Sequence, residues 1–288
     1  MGKTKVIVDS TSDIPKKFME EYDIDVVPLY VIWKDGTQEK DTVDEREKLE
    51  FYERILKAPE VPDTSQPTVP DFVAKYNEIK EKGYDDILVL TISTQMSGTY
   101  NSATLAAEQV DIPVYVFDTK RASSIVGLMA RTARLLLNEG KKPNEVIEIL
   151  QKRFDDGDYQ AVFYVTNFEF LVKGGRINKF QGFLGSMLKL RVGVYIKEDG
   201  TMEPFGKARG LQKASEMIVK KFKELGVKEG EKVNLLMVTA GALDEAKILC
   251  EKLKEVYEVQ LCEYTLTAKV ITKHVAPGMV GAGLERVR

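Results

Sequence analysis

Residues 87–103 read ILVLTISTQMSGTYNSA. The unbroken apolar run Ile87-Leu88-Val89-Leu90 is the pattern of a strand buried on both faces. It passes directly into Thr91, Ser93, Thr94, Ser97, Thr99 and Ser102, with Gly98 among them. The spacing predicts a strand over 87–91 and a helix over Gly98–Gln109. A strand that feeds a helix in this way belongs to a parallel sheet covered by helices.

The same alternation extends to both sides. Upstream, Lys5–Val8 is a strand that stops at Asp9–Asp13, and Pro15 opens a helix at its first turn. Val26–Trp33 reads as a second strand, Asp35-Gly36 as a turn, and Thr37–Asp41 as a hairpin partner. Arg46–Leu56 is a helix, Pro59–Pro70 a loop, and Phe72–Lys82 a helix with Phe72, Tyr76 and Ile79 on one face. Downstream come a strand at Val114–Phe117 and helices at Ser123–Asn138 and Asn144–Phe154. Ligands bind beyond the carboxyl ends of such strands. These ends carry Asp/Ser/Thr clusters at 9–13, 91–99 and 118–124.

The polar, turn-rich segment 153–158 is the expected boundary between two domains, 1–158 and 159–288. The first is a parallel α/β domain of flavodoxin or Rossmann type. The second is a smaller α+β domain. It has a strand at Ala161–Val165, a hairpin of Arg191–Ile196 with Met202–Lys207, and a helix at Lys213–Leu225. A strand at Val233–Val238, a helix at Asp244–Val256, and strands at Val259–Tyr264 and Met279–Val287 complete it.

Composition removes several classes of function. The chain has 288 residues, 43% of them hydrophobic, and no stretch near the roughly 20 apolar residues of a membrane span. Stable membrane insertion is not expected. The N-terminus enters a strand pattern at once, without a signal peptide, which points to the cytoplasm. Net charge is −3 without a basic block, against a nucleic-acid partner. One histidine, His274, and the distant Cys250 and Cys262 do not make a transition-metal site, so neither metal nor cofactor is expected. The cysteines read as buried thiols in a reducing compartment.

Some segments could carry chemistry. At Ser97-Gly98-Thr99 the first N–H groups of a helix have no internal partner and attract anions. Gly98 permits close approach, and the Ser97 hydroxyl can donate. This suits a carboxylate or phosphate, although Ser97 could equally cap the helix. Thr64 and Ser65 lie in a second hydroxyl loop, Asp63–Thr68, which also reads as an ordinary turn. Lys173-Gly174-Gly175-Arg176 presents Arg176 at a bend, suited to carboxylate or phosphate and equally to a salt bridge with the other domain. Phe180, Phe183, Leu184, Met187 and Leu188 follow at helical spacing, as core or as the wall of an apolar tunnel. His274–Gly278 reads as a tight turn. Asp9, Asp13 and Asp118 could hold Mg²⁺ or cap helices. Two enzyme-like or nucleotide readings stand beside these. Ser97 with His274 as base would make a serine hydrolase, but Gln95 stands where the nucleophile elbow has its first glycine. A nucleotide-binding module would need a Walker or G-x-G-x-x-G loop, which is absent.

Seven segments in register resemble the DegV family of fatty-acid-binding proteins. They are VDSTSDIP (8–15), DTSQPT (63–68) with Phe72 and Tyr76, ISTQMSGTYNSA (92–103), DTKRASSIVGL (118–128), FLVKGGRIN (170–178), IKEDGTMEPFGKARG (196–210) and HVAPGMVG (274–281). The chain departs from the family pattern at Val8, where Thr is frequent, at Val192, where Pro is usual, and at Ala276, where Gly is usual. The resemblance implies two α/β domains with a long-chain fatty acid between them. Its carboxylate would be held by Thr64 or Ser65 and by Ser97 with the Gly98 N–H, with His274 and Arg176 near by. It also implies a non-catalytic role, presenting the acid to a separate ATP-dependent kinase subunit that forms an acyl phosphate. Physics fits that division. At about 0.8 kcal/mol per buried CH₂, a 16-carbon tail contributes on the order of 10 kcal/mol, so the tail supplies affinity. An ionised carboxylate must meet donors when buried.

Overall fold

The structure, a computed structural model, describes residues 2–176 and 190–288. In chain order the first part runs β1 (Thr4–Asp9), α1 (Lys16–Glu21), β2 (Ile24–Val27), β3 (Tyr30–Ile32), β4 (Gln38–Lys40), α2 (Glu45–Lys57), β5 (Asp63–Ser65), α3 (Val69–Glu81), β6 (Asp86–Thr91), α4 (Thr99–Ala107), β7 (Val114–Asp118), α5 (Ser124–Asn138) and α6 (Pro143–Asp155). The second part runs β8 (Tyr159–Val165), α7 (Phe168–Lys173), β9 (Leu190–Ile196), β10 (Met202–Arg209), α8 (Leu211–Glu224), β11 (Lys232–Thr239), α9 (Leu243–Lys254), β12 (Glu258–Leu266), α10 (Lys269–Val275) and β13 (Val280–Arg286).

The chain is a two-domain α/β protein. Its first sheet is parallel, in the order β2-β1-β6-β7. Ile87, Leu88, Val89 and Leu90 are fully buried in it, as their continuous apolar run requires. The second sheet is mixed, in the order β10-β9-β8-β13-β11-β12. Along β8, Ala161, Phe163 and Val165 join the core that faces the parallel sheet, whereas Val162 and Tyr164 join the core with α8 and α9 on the far side. Strand periodicity thus splits one segment between two cores.

Helix α5 lies between the two sheets and packs on β1 and β6 as well as on β8, β11 and β13. Gly283 of β13 permits this contact, because a Cβ there would lie 2.6 Å from the Ile125 nitrogen. Two polar ties reinforce the junction. The buried Arg121 guanidinium donates to the carbonyls of Tyr159 and Lys197 at 3.0 and 2.8 Å. The Ser93 hydroxyl donates to the Gly200 carbonyl at 2.9 Å.

Three sequence expectations need correction. Val26–Trp33 is not one strand. It breaks at Pro28, which has no N–H for a ladder, and β3 leaves to form a three-stranded sheet in the order β4-β3-β5. The expected loop 59–70 contains β5, which pairs with β3. His274 is in helix α10, not in a turn, and the turn begins at Ala276. Ala276 has φ +67°, a placement that costs a non-glycine residue about 1–3 kcal/mol. The segment 153–158 also conceals a buried charge. Asp158 is fully buried and pairs with Arg153, Arg286 and Arg288. The stripe Phe180, Phe183, Leu184, Met187 and Leu188 lies outside the described residues.

Candidate functional site

A cavity of about 460 Å³ lies between the carboxyl ends of the parallel strands and the inward face of the mixed sheet. Its apolar wall includes Ala161 and Phe163 of β8, Ile196 of β9, Met202 of β10 and Val238 of β11. Ile92, Ala122 and the α10 residues Val270, Ile271 and Val275 face them. Thr64, Ser65, Ser97, Gly98, Arg176 and His274, the residues singled out from sequence, all line this one cavity.

They are brought together from separate elements. The β3–β5 pairing carries Thr64 and Ser65 to the cavity, and α10 carries His274. Thr64 Oγ1 and His274 Nε2 are hydrogen-bonded at 3.3 Å. Burial, and then the nearby Lys273 and Arg176, push His274 well below the usual histidine range, so its ring is neutral near pH 7. Its Nδ1 has no partner among the described residues. Gly174 packs on that nitrogen, since a Cβ there would come within 2.5 Å of it. Arg176 is exposed at the rim, and its Nη1 donates to the Gly174 carbonyl at 2.8 Å.

Ser97 both faces the cavity and assists its helix. Its Oγ accepts from the Thr99 N–H at 3.3 Å and lies 2.8 Å from Thr99 Oγ1. Gly98, the N-cap of α4, has φ −79°, so left-handed backbone is not the reason for glycine here. The reason is space, because a Cβ would lie 2.2 Å from Gln66 Oε1. The Gln66 amide in turn donates to Ser102 Oγ at 2.8 Å. Gln66 and Ser102 therefore belong to the polar end, and sequence reasoning did not single them out as site residues. The proximity of a TSQPT loop to the SGT helix start was their only trace.

The Ser97–His274 pair required for a hydrolase does not form. Ser97 is bonded to Thr99 and His274 to Thr64. The other hydroxyls of 91–99 have structural partners. Thr91 donates to the Phe117 carbonyl, Ser93 to Gly200, and Thr94 to the Asp118 carboxylate.

The strand-end aspartates lie behind the cavity wall. Asp9 accepts from the Thr11 and Ile92 N–H groups, and Asp13 from Ser123 Oγ and the Ala268 N–H. Burial raises Asp9 to about 6 and Asp13 to about 7. Among the described residues no group of three or more His, Cys, Asp or Glu is arranged to hold a metal ion. No helix among them is long and apolar enough to cross a membrane.

Comparison with known proteins gives this geometry a context. A fatty acid-binding protein of Thermotoga maritima is 48% identical over 283 residues, 98% of either chain. The crystal structure of a DegV lipid binding protein from Thermotoga maritima superposes with a TM-score of 0.95 at 46% identity, over 99% of both chains. A fatty-acid-binding DegV family protein from Thermus thermophilus gives a TM-score of 0.88 at 33% identity, over 99% of this chain and 100% of its own. The family model described as "Uncharacterised protein, DegV family" matches residues 3–287. With that match spanning nearly its whole length, the chain belongs to the DegV family.

Proposed function

We propose that this protein binds one long-chain fatty acid, with its tail in the apolar cavity and its carboxylate at the Thr64/Ser65–Ser97–Gly98 end. The observation that carries this reading is a cavity with a largely apolar wall into which separate elements bring the hydroxyls of Thr64, Ser65 and Ser97. Tail burial supplies affinity at about 0.8 kcal/mol per CH₂. The carboxylate, costly to bury alone, meets hydroxyls and the Gly98 N–H, which has no acceptor among the described residues. The neutral His274 ring orients Thr64, and Arg176 stands at the rim where the charged group enters.

In the same reading the protein is not itself an enzyme. It presents the carboxylate to a separate ATP-dependent kinase subunit, in the cytoplasm, for conversion to an acyl phosphate. Hydroxyl donors suit this role, since no bidentate arginine clamp ties up the carboxylate oxygens. We also take 1–158 and 159–288 as the two domains, with the acyl tail covered by the second. Phe180, Phe183, Leu184 and Met187 stay candidates for that cover.

Organic extraction of the purified protein followed by mass spectrometry tests the ligand. A long-chain fatty acid at near one equivalent is expected, and a nucleotide or no lipid would overturn the reading. Ser97→Ala should retain distinctly less lipid than the wild type. Acyl phosphate formed from ATP by this chain alone would overturn the presenting role.

A further inference from the structure

The cavity has a second polar corner, built on elements other than those that carry Thr64, Ser97 and His274. Thr11, Ser123 and Ser124 line it. It lies where β1 ends and α5 begins, and the Ser123 N–H donates to the Thr11 carbonyl at 2.8 Å. No hydrogen bond joins these residues to Thr64, Gln66, Ser97, Ser102 or His274 among the described residues.

The hydroxyls of this corner are not equivalent. Thr11 Oγ1 donates to the Asp9 carboxylate, and Ser123 Oγ donates to Asp13. Their hydrogens point away from the cavity, and their lone pairs stay available. Ser124 is 2% exposed and also lines the cavity, yet its hydroxyl has no partner among the described residues. It sits over Gly283, where a Cβ would come within 2.9 Å of its Oγ. The α5 N-cap, Ser123, makes no side-chain bond to the helix, although its carbonyl accepts from the Val126 N–H at 2.8 Å.

A hydroxyl left unpaired in an apolar wall is unfavourable, so this corner is arranged to meet a polar atom. It offers a donor at Ser124 and acceptors at Thr11, Ser123 and Ser124. An anion is the wrong occupant, because the Thr11 and Ser123 hydrogens are committed to Asp9 and Asp13 and only the Ser124 hydroxyl is left to donate. A neutral group that both donates and accepts is the right one. We infer that this corner is a second subsite, which takes a hydroxyl carried on the acyl chain at a fixed distance from its carboxylate. The protein then prefers a hydroxy fatty acid of one positional type over the unsubstituted acid. This inference rests on the fatty-acid reading above.

The test uses delipidated protein titrated with stearate and with hydroxystearates substituted at successive carbons, read by displacement of a fluorescent fatty acid. One position, or two adjacent ones, should bind roughly tenfold tighter than the other isomers, the worth of about one well-made buried hydrogen bond. In Ser124→Ala that positional preference should collapse. Ser124→Cys, close in size but a weak donor, gives the same readout should the alanine variant fold poorly. Isomers that all bind alike, or a preference that survives in both variants, would overturn the second subsite. Failure of stearate itself to bind would instead overturn the fatty-acid reading.

Discussion

The two walls of the cavity are built on different principles. The wall formed by the parallel-sheet loops sets hydroxyls among apolar residues such as Ile92 and Ala122. Its hydroxyls are fixed by buried carboxylates and by helix starts, as in Thr11 on Asp9 and Ser97 on the Thr99 N–H. The wall formed by the mixed sheet is apolar, and beside it Gly283 of β13 lets α5 lie directly on the sheet. The difference separates two tasks. Apolar area gives binding strength without direction, while hydrogen bonds give direction at modest net energy.

The largest effect should come from the glycine surface where the walls meet. Gly283→Ala puts a methyl group 2.6 Å from the Ile125 nitrogen and 2.9 Å from its Cα, backbone atoms that cannot turn aside. A loss of about 3 kcal/mol, of the size expected for overpacking, should lower the melting midpoint by roughly 6–12 °C. An unchanged melting curve would mean that α5 is not seated on β13. Next is Ala161→Trp, which fills the apolar wall. Excluding about four methylenes removes about 3 kcal/mol, so long-chain acids should bind roughly 100-fold more weakly. Shorter acids should be affected less, and calorimetric titration across chain lengths would detect the difference.

On the hydroxyl-bearing wall, Thr64→Val keeps the shape and removes the hydroxyl. Loss of one hydrogen bond to a charged group should weaken binding roughly 10-fold or more. The matching fatty alcohol should lose less, which separates head-group recognition from packing. The carboxylates behind that wall make stability depend on pH. Burial raises Asp9 to about 6 and Asp13 to about 7, from 3.8. Between about pH 4 and 7 the folded state therefore holds more protons than the unfolded state at these sites, and stability falls as pH rises through that window. The melting midpoint should be higher near pH 5 than near pH 8, and Asp13→Asn should flatten the slope. Below about pH 4 the trend reverses, because carboxylates such as Glu78 and Asp199, held at about 2 by their hydrogen-bond partners, lose their contribution.

Much of this was legible in the chain, for definite reasons. The run Ile87–Leu90 announced a strand buried on both faces, and Gly98 with its neighbouring hydroxyls marked the start of α4. Pro28 explains the failure at Val26–Trp33, where hydrophobicity alone could not reveal that the segment changes sheets. The site residues were found through the resemblance more than through their own pattern. Gln66 was missed because only its contact with Gly98 makes it part of the site, and that contact joins residues far apart in sequence.

By itself the sequence determined the alternation of strands and helices, the buried parallel strands and the positions of the hydroxyl clusters, because periodicity and turn chemistry act over a few residues. Only the tertiary structure decided which hydroxyls face the cavity and which are consumed in ties such as Ser93 to Gly200, and only it joined Thr64 to His274 across 210 positions. That division has a physical cause. Local propensity is set by neighbours along the chain, whereas the partner of a polar side chain is set by how the sheets and α5 pack.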